Sequence, residues 1–143
     1  MKPKGMVGAG VLLLMSAAAG RAEVQVVHAF EFGPQKPQSR LIQAADGNFY
    51  GTAYSGGDAT SVGGTGKGCI FRVTPAGVIT NLVSFFGTNG ANPFAGLVQG
   101  TDGTLYGTTQ NGGANGVGTV FSYSIGGALT VLYSFDGAQH GAT

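Results

Sequence analysis

Cysteine occurs once in this chain, charged residues are scarce, and the apolar runs are short. Each shortage excludes something. Cys69 alone closes no internal disulfide, although an exported compartment would permit one. It lies in the alternating run 68–73, where Cys69, Phe71 and Val73 share a face, so a buried small hydrophobe is expected rather than a reactive thiol. The longest apolar run, 6–19, has about 14 residues, and a bilayer span needs roughly 20. Charged residues make up 9% and there are 28 glycines, which taken alone would suit a flexible linker. Linkers lack aromatics, however, and here aromatic content is 10% and hydrophobic content 43%. That is enough apolar surface to offset chain entropy. A folded, turn-rich β protein is predicted.

The N terminus has the layout of a secretory signal peptide over 1–22. Lys2 and Lys4 give a basic start, the apolar run follows, and Gly20 and Ala22 supply the small residues for cleavage between Ala22 and Glu23. No cysteine stands directly after the run to take a lipid anchor. Cleavage leaves four basic residues, Lys36, Arg40, Lys67 and Arg72, against all six acids, a net charge of −2. Nucleic acid and anionic membranes need basic clusters and are poor partners for such a chain. The processed protein is expected to have no membrane span.

The remainder, 23–143, repeats. Residues 37–57 match 93–113 at an offset of 56, sharing Pro, Leu, Gln, Asp-Gly, Tyr-Gly-Thr and Gly-Gly. Residues 69–74 and 79–85 match 119–124 and 129–135 at an offset of 50. The six-residue difference falls within 58–68, as expected of a surface loop. Unit 1 runs over about 31–85, unit 2 over about 86–135, and 136–143 begin a third. In unit 2, four β-like runs are predicted at 95–99, 104–108, 119–123 and 129–135. Asp46-Gly47 and Asp102-Gly103 mark hairpin turns, because Gly accepts positive φ and Asp hydrogen-bonds the turn backbone. Gly51 and Gly107 fall mid-strand, where neighbouring strands crowd or the strand bends. Tyr50, Tyr106, Phe71, Phe121, Phe85 and Phe135 are the expected repeat core. Residues 24–30 align with the fourth run of each unit as an orphan strand. The fold expected is all-β: a propeller-like repeat array of two four-stranded blades plus that strand, a partial propeller.

These motifs resemble the GloVer tandem repeat of exported bacterial proteins. The matching pieces are Ser84-Phe85, 93–99, 102–109, Gly112-Gly113, 118–121 and 132–135. The resemblance covers essentially all of 24–137. It implies an extracytoplasmic, propeller-like and kelch-like array, secreted, periplasmic or on the cell surface. It brings no established activity and no catalytic residues. Related chains carry more repeats and a C-terminal anchor, which implies that this is a partial chain.

No motif joins the polar residues into a catalytic set. Asp46 and Asp102 stand alone, without the spaced oxygens of a calcium loop. No metal and no cofactor is expected. His28 and His140 lack metal-ligand spacing. The glycine run 63–68 departs from a phosphate loop, since Gly68 follows Lys67. A hydrolase needs a nucleophile with its base, or paired carboxylates. Tyr50 and Tyr106 lining a carbohydrate face is weighed against core packing, and packing is preferred. The expectation is a non-enzymatic binding or surface-interaction module for carbohydrate or protein. Its alternatives are a fragment of a carbohydrate-active propeller enzyme and a remnant without activity. Two blades leave open apolar flanks, so a homo-oligomer of three or four chains closing a ring is the alternative to a truncated chain.

Overall fold

Alternating apolar residues between glycine turns give strands of five or six residues, and strands build everything seen here. The structure, a computed structural model, describes residues 34–57 and 66–137 in full, and the backbone alone of 10–18 and 21–30. No helix occurs among them. The expected loop insertion over 58–65, His140, the expected start of a third unit beyond 137, and residues 1–9 and 19–20 of the expected signal peptide lie outside the described residues, as does the side chain of His28.

Unit 1 is a four-stranded antiparallel meander. Its strands are Ile42–Gln43, Phe49–Ala53, Cys69–Val73 and Ile79–Ser84. Unit 2 repeats it with Val98–Gln99, Leu105–Thr109, Thr119–Tyr123 and Leu129–Ser134. Both meanders carry a register shift at the same place, between Ile70 and Phe71 and between Val120 and Phe121. A bulge there adds local twist. Of the four runs predicted for unit 2, the last three are strands to within a residue, whereas 95–99 is strand only at Val98–Gln99.

Two pairings had no counterpart in the sequence reading. Pro34–Gln35 pairs with Ser55–Gly56 as a separate two-stranded sheet. Residues 24–30 are not an orphan fourth strand: Arg21–Phe30 pairs with Gly10–Ala18, and among the described residues their sheet contains no other strand. The two segments are adjacent in sequence, so a hairpin closes with little loop entropy. Ala22 and Glu23 lie within that pairing, opposite Ala17 and Ser16.

The hairpin turns are alike. Gly47 and Gly103 adopt φ of 82° and 81°. Gly47 N–H donates to Ala44 O, and Gly103 N–H to Gly100 O. Gly51 and Gly107 answer to packing instead. A Cβ on Gly107 would sit 2.6 Å from the Phe121 ring and 2.9 Å from Leu97; on Gly51, 2.6 Å from Leu41 and 2.9 Å from the Phe71 ring. Each glycine leaves room for the ring of the phenylalanine paired with it on the neighbouring strand.

The units stack front to back. One face of unit 1, with Tyr50, Ile70 and Phe85, packs on Leu97, Leu105, Phe121 and Tyr123 of unit 2. Phe85 and Phe121 meet at 5.3 Å between ring centres. The opposite face of unit 1 holds a second cluster of Ala53, Cys69, Phe71 and Val73, the side that alternation gives these residues. Neither four-stranded sheet closes on itself.

Two expected core residues are not core. Phe135 is 43% exposed while its counterpart Phe85 is 0% exposed, and Tyr106 is half-buried while Tyr50 is buried. The cause is position. Unit 2 covers the front of unit 1, but no described residue covers the front of unit 2. Leu132 and Tyr133 are exposed on that unit as well.

Candidate functional site

The residues that repeat most faithfully are spent on turns. Asp46 Oδ1 accepts from Asn48 N–H at 3.0 Å, and its Oδ2 accepts from the Tyr50 hydroxyl at 2.7 Å. Asp102 does the same with Thr104 N–H at 3.0 Å and the Tyr106 hydroxyl at 3.1 Å. The repeated glutamines complete each turn: Gln43 Nε2 donates to Gly47 O and Gln99 Nε2 to Gly103 O. Gln99 Oε1 also accepts from Ala45 N–H, across the unit boundary.

These bonds set the electrostatics. The Tyr50 and Asn48 bonds hold the Asp46 carboxyl below its usual range. Burial, followed by the bond to Asp46, pushes the Tyr50 hydroxyl up to about 12. Asp102 is likewise lowered, chiefly by Thr104 N–H. Tyr106 is raised, chiefly by Asp102. A carboxylate held charged and a phenol held neutral form a structural pair; neither moves a proton near neutral pH. Cys69 is buried, and desolvation raises its thiol to about 12. Thiolate chemistry is closed to it. At the matching positions unit 2 has a polar pair: Thr109 and Thr119 join through their hydroxyls at 2.8 Å, and Thr119 N–H donates to Thr109 Oγ1.

Sequence reasoning missed the cleft between the units. It is about 480 Å³ and is walled by Lys36, Gln38 and Tyr54 from unit 1 and by Phe94, Thr108 and Gln110 from unit 2. Tyr54 and Phe94 meet edge to face, 6.5 Å apart at 89°. Phe94 is 61% exposed. The walls are pinned to each other. Thr52 Oγ1 donates to Ala95 O at 3.0 Å, and Asn92 Nδ2 donates to Tyr54 O at 3.1 Å. The signal that marked the cleft was a break in the repeat. Tyr54 aligns with Gln110 and Gln38 with Phe94 at the offset of 56, so each unit carries one aromatic and one glutamine in exchanged places.

A second hollow, lined by Lys67, Phe86, Asn111 and glycines, is bound up in backbone pairing: Gly113 N–H donates to Gly87 O and Ala91 N–H to Asn111 O. No group of three or more His, Cys, Asp or Glu is placed to hold a metal among the described residues. Nor is any helix among them long and apolar enough to cross a membrane.

No curated protein and no solved structure matches the chain. The family model described as the Gloeobacter/Verrucomicrobia repeat matches residues 2–143. That span takes in both meanders, their Asp-Gly turns and the Tyr-Gly strands, and the chain belongs to the Gloeobacter/Verrucomicrobia repeat family.

Proposed function

We propose that this protein is an exported, non-enzymatic binding module, built as a segment of a propeller-like array and released by cleavage between Ala22 and Glu23. One observation carries the reading. The Asp, Gln and Tyr side chains that repeat between the units are consumed by their turns, whereas Gln38, Tyr54, Phe94 and Gln110, which line the inter-unit cleft, do not repeat. Architecture uses the first set; the second set is left for a ligand, carbohydrate or protein. Four-stranded meanders stacked front to back are how propeller blades pack, and the uncovered front of unit 2 favours association with further copies. The test pairs two measurements on protein recovered from an expressing bacterium. N-terminal sequencing of the extracytoplasmic fraction is expected to begin at Glu23. Saturable binding without turnover is expected on panels of glycans and surface proteins. Catalytic turnover by the purified protein would overturn the non-enzymatic reading, and retention of Met1 in the cytoplasm would overturn export.

A further inference from the structure

We infer that the cleft between the units binds a neutral saccharide, with Phe94 and Tyr54 as its stacking walls. The inference rests on the binding-module reading and names its ligand class. The frame of the cleft is architecture. Lys36 and Asn92 occupy the same place in the two units and share left-handed φ, 53° and 57°. Each accepts the same backbone bond at 3.1 Å, Lys36 O from Tyr54 N–H and Asn92 O from Gln110 N–H. The side chains at 38, 54, 94 and 110 are not part of that frame, since aromatic and amide trade places without disturbing it. Phe94 has no architectural reason to be aromatic where unit 1 carries Gln38, and leaving it 61% exposed keeps apolar surface in water.

The composition of the walls selects the ligand. Two ring faces set at 89° form a corner that takes patches of C–H. Gln38 and Gln110 offer amide donors and acceptors, and Thr108 a hydroxyl. Among the described residues of the lining, Lys36 alone is charged, too little for a polyanion. A pyranose meets this description, with C–H faces and a rim of hydroxyls. Proline-rich peptides also stack on aromatics, but they favour grooves that follow an extended helix, and the corner here is closed by the perpendicular ring. The cross-boundary bonds Thr52 to Ala95 and Asn92 to Tyr54 set the walls beforehand. A ligand therefore has little ordering to impose.

Calorimetric titration of the full chain with cellohexaose and with maltohexaose tests this, with oligogalacturonate and decaproline as comparators. Binding of at least one neutral hexasaccharide is expected. Phe94→Ala should weaken it about tenfold, as for loss of a stacked ring. Phe86→Ala, an exposed phenylalanine of the second hollow, should leave affinity unchanged, and both variants should keep the parent melting temperature. Failure of both neutral sugars to bind overturns the inference, as does equal weakening by the two variants. Decaproline or oligogalacturonate binding alone, lost with Phe94→Ala, overturns the saccharide class and leaves the binding-module reading intact. Release of reducing ends during titration overturns the non-enzymatic reading and leaves saccharide recognition standing.

Discussion

Asp46 and Tyr50 show how a residue can look like chemistry and be structure. The phenol is buried and bonded to a carboxylate held charged by that bond. Its folded pKa is raised, to about 12 from 10.0. The stability it contributes is therefore complete below pH 10 and is lost as pH rises toward 12. Asp46 has the opposite sign: its contribution is present above the ordinary carboxylate range and is lost as pH falls through its lowered pKa. Tyr50→Phe is expected to cost about 1–2 kcal/mol and to flatten the alkaline limb, read as melting temperature between pH 9 and 12. Cys69 gives a second check at this scale. It should resist a thiol reagent in the native protein and react stoichiometrically in denaturant, because burial withholds the thiolate. The cysteine's side of the sheet was legible from alternation alone. The threonine pair that replaces it in unit 2 was not, because no local pattern says that Thr109 and Thr119 will find each other.

Within a strand and its turn, glycine does two different jobs, and they separate by experiment. Gly103 is left-handed at φ 81°, and a Cβ added to it would meet nothing within 4 Å, whereas a Cβ on Gly107 would lie 2.6 Å from the Phe121 ring. Gly103→Ala should cost about 1–2 kcal/mol through backbone strain. Gly107→Ala should cost about 1–3 kcal/mol through overpacking. The second loss alone should shrink when Phe121 is cut to Leu, a coupling that a double-mutant cycle in urea would measure. The three longer strands of each meander were readable because period-two alternation is local, and the short first strand came only with the Asp-Gly turn that follows it. The Pro34–Gln35 pairing with Ser55–Gly56 was not readable: two-residue strands carry no periodicity. The Arg21–Phe30 pairing was missed for another reason, since alignment to the repeat made 24–30 an orphan fourth strand and the run before it was read as a signal peptide. The cleft fell between these cases. Its four exchanged residues stand in the sequence as mismatches between the units, and only strand pairing in both units brings them to one place.

For the whole molecule, Phe85 and Phe135 are one position of the repeat in two environments. Phe85→Ala should cost about 3–5 kcal/mol. Phe135→Ala, at 43% exposure, should cost under about 1 kcal/mol. Denaturant melts of both variants measure the difference, and similar costs would mean that the front of unit 2 is covered in solution. Light scattering after size exclusion reads the same surface from outside. If Leu132, Tyr133 and Phe135 hold copies together, Leu132→Lys with Phe135→Lys should convert the assembly to monomer.

Front-to-back stacking also fixes how such a chain can grow. Because each unit offers its neighbour the surface it accepts from the one before, in-frame duplication of one unit lengthens the stack with no interface redesigned. A stack of any height has a single uncovered front, so the burden of exposed apolar surface stays constant. The clefts, one at each junction, multiply. Wall positions 38 and 54 of one unit differ from 94 and 110 of the next, so each added storey can bring a pocket lined differently from the one beneath it.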